Sequence, residues 1–381
     1  MTAAVLPRYG GGSLADLVPS LLTVLGAAGS ADPLNLAADH RFADLDRIAL
    51  LLVDGLGHEL LPRIARYAPT VADLARVAGP PLTSGFPSTT PTSLVSLATG
   101  VPPGRHGVLG FTVLVPGTDR VLNHIRWSTD PDPRRWQPVP SLFDHASTGV
   151  SVTVVSRPEF AGSGLTVAAY GQTRYLGATG VDELAATMLA TLAAADRPTL
   201  VYGYHPDLDQ AGHQFGTGSE QWARAAADVE RLVARLVGDL PPRAALVVTA
   251  DHGQFDVPAD GRFDVDADLS LRAGVRGVAG EPRVRYLYTQ PGATDDVLAT
   301  WRAVLGDAAW VGTRAEAVAS GWFGPVSADF ETRIGDVVIV CRDRHVVLAS
   351  AHEPAMISRM IGFHGSLTPA EMLIPLLVAR R

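Results

Sequence analysis

"RIALLLVDG" (residues 47–55) decides the fold: six apolar residues run without interruption from Ile48 to Val53 and stop on an acid, Asp54. A run this short, with no polar residue alternating through it, reads as a strand buried on both faces, which is the habit of parallel sheets. Three further runs share the pattern, "VSVTVVSRPE" (150–159), "PTLVYGYHPDLD" (198–209) and "AALVVTADHG" (244–253). Between them, "VDELAATMLATLAAAD" (181–196) and "GSEQWARAAADVERLVARLVGDL" (218–240) repeat apolar residues at three- and four-residue intervals, as amphipathic helices do. Strand alternating with helix predicts an α/β sandwich around a mostly parallel sheet.

The pattern changes near Val257. "EPRVRYLYTQ", "ATDDVLATWRAVLG", "AAWVGT" and "RAEAVASGWFG" read as strand, helix, strand, helix, and predict a small α/β cap inserted at 257–335. The core is expected to comprise 1–256 and 336–381, with main-sheet strands resuming at "DVVIVCRD" and "HVVLAS". The first thirty residues lack the basic start and clean apolar stretch of a signal peptide and read as a helix of the mature protein.

Composition narrows the function classes. The 381 residues are 47% hydrophobic, enough for a large core, and carry a net charge of −8 with no basic footprint for a nucleic-acid backbone or an anionic membrane. No apolar run reaches the length of a membrane span. Small molecules are therefore the expected partners, and the oligomeric state stays open. The single cysteine, Cys341, allows neither an intrachain disulfide nor a cysteine metal cluster, so the cytoplasm is the expected compartment. All 31 basic residues are arginine, which removes the P-loop lysine, the Schiff-base lysine and the lysine general base together.

In parallel α/β sheets ligands gather beyond the carboxyl ends of the strands. Those ends carry Asp54, Asp207 with Asp209, and Asp251 with His252; His213 follows four residues after Asp209, and "GFHG" adds His364. Carboxylates crowded at one rim repel one another, a divalent cation relieves this, and Asp with neutral His is a donor set suited to zinc. Two metals suit so many donors better than one. In "GFPSTTPTSLVSLATG" (85–100), Pro91 fits the first turn of a helix, which makes Thr90 the expected N-cap with its hydroxyl at the positive helix end. Taken singly, an N-cap threonine, a "DHG" turn and an Asp–His pair four apart are ordinary structural features. Their convergence at successive strand ends is what points to chemistry.

The ordered set "VDGLG", "TTPTSLVSLATGVPPGRHG", "LDQAGH", "TADHG" and "GFHG" resembles the type I phosphodiesterase/nucleotide pyrophosphatase branch of the alkaline phosphatase superfamily. The resemblance implies an alkaline-phosphatase-like three-layer sandwich. It implies one zinc on Asp54, Asp251 and His252, a second on Asp209, His213 and His364, and Thr90 as a nucleophile that contacts the metal pair; manganese is the alternative metal. Asp207 falls outside the ligand set and beside it. The implied activity is hydrolysis of a small organic phosphodiester or pyrophosphate through a phospho-threonine. Two positions depart from the family's nucleotide enzymes. Pro91 replaces a phenylalanine that stacks on the base, and Phe111 stands where an asparagine donates to a phosphoryl oxygen.

The alternatives are a phosphomonoesterase or phosphonate hydrolase of the same superfamily and, in another class, a non-catalytic metal-binding protein. His106 reads as a turn residue and Cys341 as a buried strand residue without a sulfatase's surrounding pattern. Tyr170 and Tyr175 read as packed aromatics, and His205, His352 and Arg105 have nothing to fix them at a site. Trp301, Trp310 and Trp322 are expected to form the core of the cap.

Overall fold

A computed structural model describes residues 3–144 and 149–381, so Met1 and Thr2 of the expected N-terminal helix lie outside it. The four predicted strands 244–249, 47–53, 199–205 and 151–156 lie side by side in a six-stranded sheet, completed by two strands not anticipated from the sequence, 377–380 beyond the first and 174–177 beyond the last. Five of these strands are parallel, and only the last in sequence, Leu377–Arg380, runs antiparallel. Arg47–Val53 is central, with Ile48 facing Leu200 on one side and Ala245 on the other. Every residue from Ile48 to Val53 is fully buried, which explains the uninterrupted apolar run: both faces of this strand are covered.

The helices follow the predicted periodicity. Gly180–Ala193 packs on the strands and against Glu220–Asp239, whose apolar stripe buries Trp222, Val229, Leu232, Val233 and Leu236. The N-terminal helix is shorter than expected, Leu17–Val24 behind a turn of 3-10 helix at Leu14–Asp16, and it docks Leu17, Leu21 and Leu22 into the main core.

The expected strand–helix–strand–helix succession after Val257 is present: Val284–Thr289, Thr294–Leu305, Ala309–Thr313 and Arg314–Ala319. The return to the main sheet differs from expectation. Val337–Cys341 is an interior strand of a separate four-stranded sheet, antiparallel to both Val284–Thr289 and Ala309–Thr313, while Val346–Leu348 pairs with Arg262–Asp264. An apolar run shows that a strand is buried on both sides but not which sheet buries it. The tryptophans differ too. Trp301 lies in the core of this second sheet, whereas Trp310 and Trp322 pack edge to face, 4.9 Å apart, and Trp322 meets Phe86 of the main body.

Candidate active site

Three features bring the acids to one rim. Val53 hands the chain to Asp54 at the carboxyl end of the central strand, and Ala244–Thr249 does the same for Asp251 and His252. Thr199–His205 feeds the helix Asp207–Phe215, whose 3.6-residue period stacks Asp209 and His213 on one face. The turns are tight because Gly55 (φ +73°) lies against that helix, where a Cβ would stand 2.9 Å from the Cβ of Asp209. The last histidine arrives with the short strand Gly362–Phe363.

The donors fall into two groups, Asp54 with Asp251 and His252, and Asp209 with His213 and His364, and within each group the ligand atoms lie within 4.8 Å of one another. His252 and His364 stack at 3.5 Å between ring centroids, so the two groups adjoin. Asp207 stays out of both and pairs with Arg157. Thr90 is brought to the first group, with its Oγ1 3.2 Å from His252 Nε2 and 3.4 Å from Asp54 Oδ2.

The structure shifts one detail of the threonine's position. Thr89 is the N-cap, with extended backbone (φ −139°, ψ 148°), and Thr90 opens the helix Thr90–Thr99 with Pro91 second. Proline is tolerated anywhere in the first turn, where no N–H is needed for the helix, so the sequence signal fixes the start only to within a residue. The Thr90 hydroxyl still lies at the positive end of the dipole.

The donor chemistry fits divalent metals. The Nδ1 atoms of His213, His252 and His364 face the carbonyls of Gly362, Gly253 and Ser88 at 2.8, 3.1 and 2.8 Å. A carbonyl only accepts, so each Nδ1 carries a proton, and each ring in its neutral form turns an Nε2 lone pair inward. His213 Nε2 and His364 Nε2 then point at each other across 3.1 Å, an arrangement of two lone pairs that a shared cation relieves. Asp54 Oδ1 and Asp251 Oδ2 are buried without any hydrogen-bond partner, which is costly for a carboxylate unless a cation supplies the missing interaction. Burial, then the neighbouring charges of Asp251 and Asp209, push the Asp54 carboxyl well above its ordinary range. Burial also acts to raise Asp209, but with no metal bound the positive charge of protonated histidines, His213 foremost, outweighs it and holds that carboxyl low. His364 is pushed well down by burial and by His252, which keeps it neutral and able to ligate.

Sequence reasoning missed the residues that aim these candidate donors. The Tyr204 hydroxyl donates to Asp54 Oδ2, and Gln254 Nε2 donates to Asp209 Oδ1 at 2.8 Å. Tyr204 stands within the quoted run "PTLVYGYHPDLD" and Gln254 directly after "TADHG", so adjacency was the only available signal. His106 is fully buried, bonded through Nε2 to Ser96 Oγ at 2.9 Å and through Nδ1 to the Val108 N–H, as a structural residue would be. Tyr170 stacks on Phe143, Tyr175 donates to the Arg157 carbonyl, and both also line the cleft above the metal-ligand groups. His205, His352 and Arg105 do not line it; His352 pairs instead with Asp266.

The cleft has a volume of about 370 Å³ and is reached by Asp54, Thr89, Thr90, Asp209, His213 and His364. Murine ectonucleotide pyrophosphatase/phosphodiesterase 5 matches this fold with a TM-score of 0.68 at 16% identity, over 88% of each chain. An inactive form of that protein with a threonine replaced by alanine, in complex with AMP, matches at 0.70 and 17%, again over 88% of each chain. Phosphonoacetate hydrolase from Sinorhizobium meliloti, in complex with phosphonoacetate, matches at 0.68 and 22%, over 88% of this chain and 90% of that one. At these identities the likeness speaks for the shared alkaline-phosphatase-like fold. A model of the type I phosphodiesterase/nucleotide pyrophosphatase family matches residues 48–367, from the strand that ends on Asp54 to just past the loop that carries His364, and this chain belongs to that family.

Proposed function

We propose that the protein is a two-metal hydrolase that cleaves a phosphodiester or pyrophosphate bond of a small organic phosphoester through a covalent intermediate on Thr90. The observation that carries this reading is the placement of Thr90 Oγ1 3.2 Å from His252 Nε2, beside a group of donors whose inward atoms lack partners. Asp54, Asp251 and His252 would hold one metal and Asp209, His213 and His364 the other, with zinc suited to the donors and manganese the alternative. A bound divalent pair would acidify a hydroxyl or a water and offset the charge of the phosphoryl group.

The chain's own residues supply the rest. The Thr90 oxygen forms a bond to phosphorus as the bond from phosphorus to the leaving oxygen breaks; the threonine proton goes to solvent and the leaving group takes one from solvent. Water then breaks the new phosphorus–oxygen bond and Thr90 is restored. Tyr204 and Gln254 keep Asp54 and Asp209 turned inward throughout. The unit around the four-stranded sheet, expected at 257–335, acts in this reading as a cap, extended by the strands Val337–Cys341 and Val346–Leu348. We place the protein in the cytoplasm on the ground of its single, buried cysteine. Among the described residues no helix is long and apolar enough to cross a membrane.

Thr90→Ala is the direct test. The variant should lose turnover of bis-p-nitrophenyl phosphate by about three orders of magnitude, while elemental analysis still finds two metals per chain. Acid-quenched wild type should carry a substrate-derived phosphoryl adduct on the peptide containing Thr90. Full turnover by the alanine variant would remove Thr90 from the mechanism.

A further inference from the structure

The walls of the cleft are uneven in charge. Apolar side chains dominate, among them Phe111, Ile125, Phe160, Leu165, Ile357 and Met360. Among the described residues no arginine lines it, and the chain has no lysine at all. Apart from the two donor groups, its ionisable side chains are two acids and three tyrosine hydroxyls: Glu159 near the mouth, its side chain 62% exposed, Glu281 deep inside, and Tyr170, Tyr175 and Tyr204.

Glu281 is unusual. It closes the strand Val275–Glu281 of the second sheet, is 3% exposed, and its Oε1 has no hydrogen-bond partner. Thr89, beside the nucleophile in sequence, is 1% exposed, and its Oγ1 is likewise unpartnered and makes no helix-capping bond. The Thr89 hydroxyl and the backbone N–H of Phe111 face the Glu281 carboxyl closely enough to act on its protonation, but neither Thr89 Oγ1 nor Glu281 Oε1 completes a hydrogen bond. Two buried polar groups left unsatisfied at one end of a cleft are costly in an empty site and are satisfied by a ligand that brings an acceptor. Burial pushes the Glu281 carboxyl up to about 8, so near neutral pH it carries a proton to donate.

We propose that the protein is selective for singly charged phosphodiesters bearing a large uncharged apolar or aromatic ester group, with Glu281 and Thr89 as the donors that take a non-bridging phosphoryl oxygen. The apolar walls receive the uncharged group. A dianionic monoester, a nucleoside pyrophosphate or a carboxylated phosphonate brings a further negative charge into a cleft that offers it no arginine or lysine, and is discriminated against. The proposal rests on the reading of Thr90 as the nucleophile.

Three substrates sharing the p-nitrophenolate leaving group test it with the zinc-loaded full chain: bis-p-nitrophenyl phosphate, methyl p-nitrophenyl phosphate and p-nitrophenyl phosphate. In kcat/KM the first should exceed the second by about tenfold, for the lost apolar contact, and the third by roughly a hundredfold or more. Monoester turnover within tenfold of the diester, or equal turnover of the methyl and aryl diesters, overturns the selectivity. No turnover of any of the three overturns the Thr90 reading and this inference with it. For the donors, Glu281→Met should lower kcat/KM for the aryl diester about tenfold or more, and Glu281→Gln, whose amide can donate, should recover most of that loss. Should the methionine variant fail to fold, Thr89→Val against Thr89→Ser makes the same comparison, because the Thr89 hydroxyl makes no helix-capping bond. Wild-type kcat/KM in Glu281→Met, or in Thr89→Val where that pair carries the comparison, overturns the assignment.

Discussion

At the scale of single residues, Asp54 and Asp251 were legible because each follows a run that burial makes conspicuous, and an acid at the end of a buried strand has few structural reasons to be there; Asp209 lies in the helix Asp207–Phe215 beyond its strand and was told from Asp207 only by the spacing of the motif "LDQAGH". The residues that orient them were not legible, since a tyrosine in a strand and a glutamine in a loop look the same whether or not they touch a carboxylate. Tyr204 is the clearest case. Its hydroxyl holds Asp54 Oδ2, the oxygen nearest Thr90, and burial followed by the Asp54 charge pushes that phenol well above its ordinary range, so it remains a donor at every working pH. Tyr204→Phe removes the donor and keeps the ring. It should weaken metal retention by about 10–100-fold, read as the zinc concentration that restores half-occupancy after chelation, and leave thermal stability of the metal-free chain almost unchanged. Undiminished affinity would mean that Asp54 is held by its backbone alone.

At the scale of elements, the helix Thr90–Thr99 shows what local signals can fix. Its start was readable from "TTP" to within a residue; it ends at Gly100, which adopts a left-handed conformation (φ +71°) and donates its N–H to the Ser96 carbonyl. The sequence does not show what surrounds that glycine. A Cβ there would stand 2.8 Å from Pro19 Cγ and 2.9 Å from Leu142 Cδ1, so the N-terminal helix and the Leu142–Asp144 turn close over it. Gly100→Ala therefore combines left-handed strain with overpacking and should cost about 2–3 kcal/mol in denaturant unfolding. A loss below about 0.5 kcal/mol would show that the turn relaxes freely. Sheet membership lay beyond local signals altogether. Val337–Cys341 is as apolar as the main-sheet strands, and its partners are chosen by a register with Val284–Thr289 and Ala309–Thr313 that no periodicity encodes.

At the scale of the whole molecule, the second sheet must stay docked if Glu281 is to reach the cleft, and the seam that docks it contains an acid-sensitive cluster. Arg333, from the segment leading into Val337–Cys341, lies 3.7 Å over the Trp136 ring and donates to the carbonyls of Gly107 and Trp136. His106 and His124 are fully buried nearby, and burial is the main cause that depresses them, to about 3 and about 4, with Arg333 adding to it in both. Trp136 donates its indole N–H to His124 Nε2, which a proton at that nitrogen would forbid. A histidine whose folded-state pKa lies below its unfolded value binds its proton more readily in the unfolded chain. The stability it contributes is complete above about pH 6.5 and is lost as pH falls toward 4 and 3. On the order of 3 kcal/mol per histidine is at stake between pH 7 and pH 4. His124→Gln, which keeps an uncharged acceptor for the Trp136 N–H, should be less stable than wild type at pH 7 through poorer packing but show a flatter loss on acidification. Urea unfolding from pH 7 down to pH 4, followed by tryptophan fluorescence, reads both slopes. Parallel slopes for the two proteins would mean that carboxylates elsewhere, and not this seam, set the acid limit of the fold.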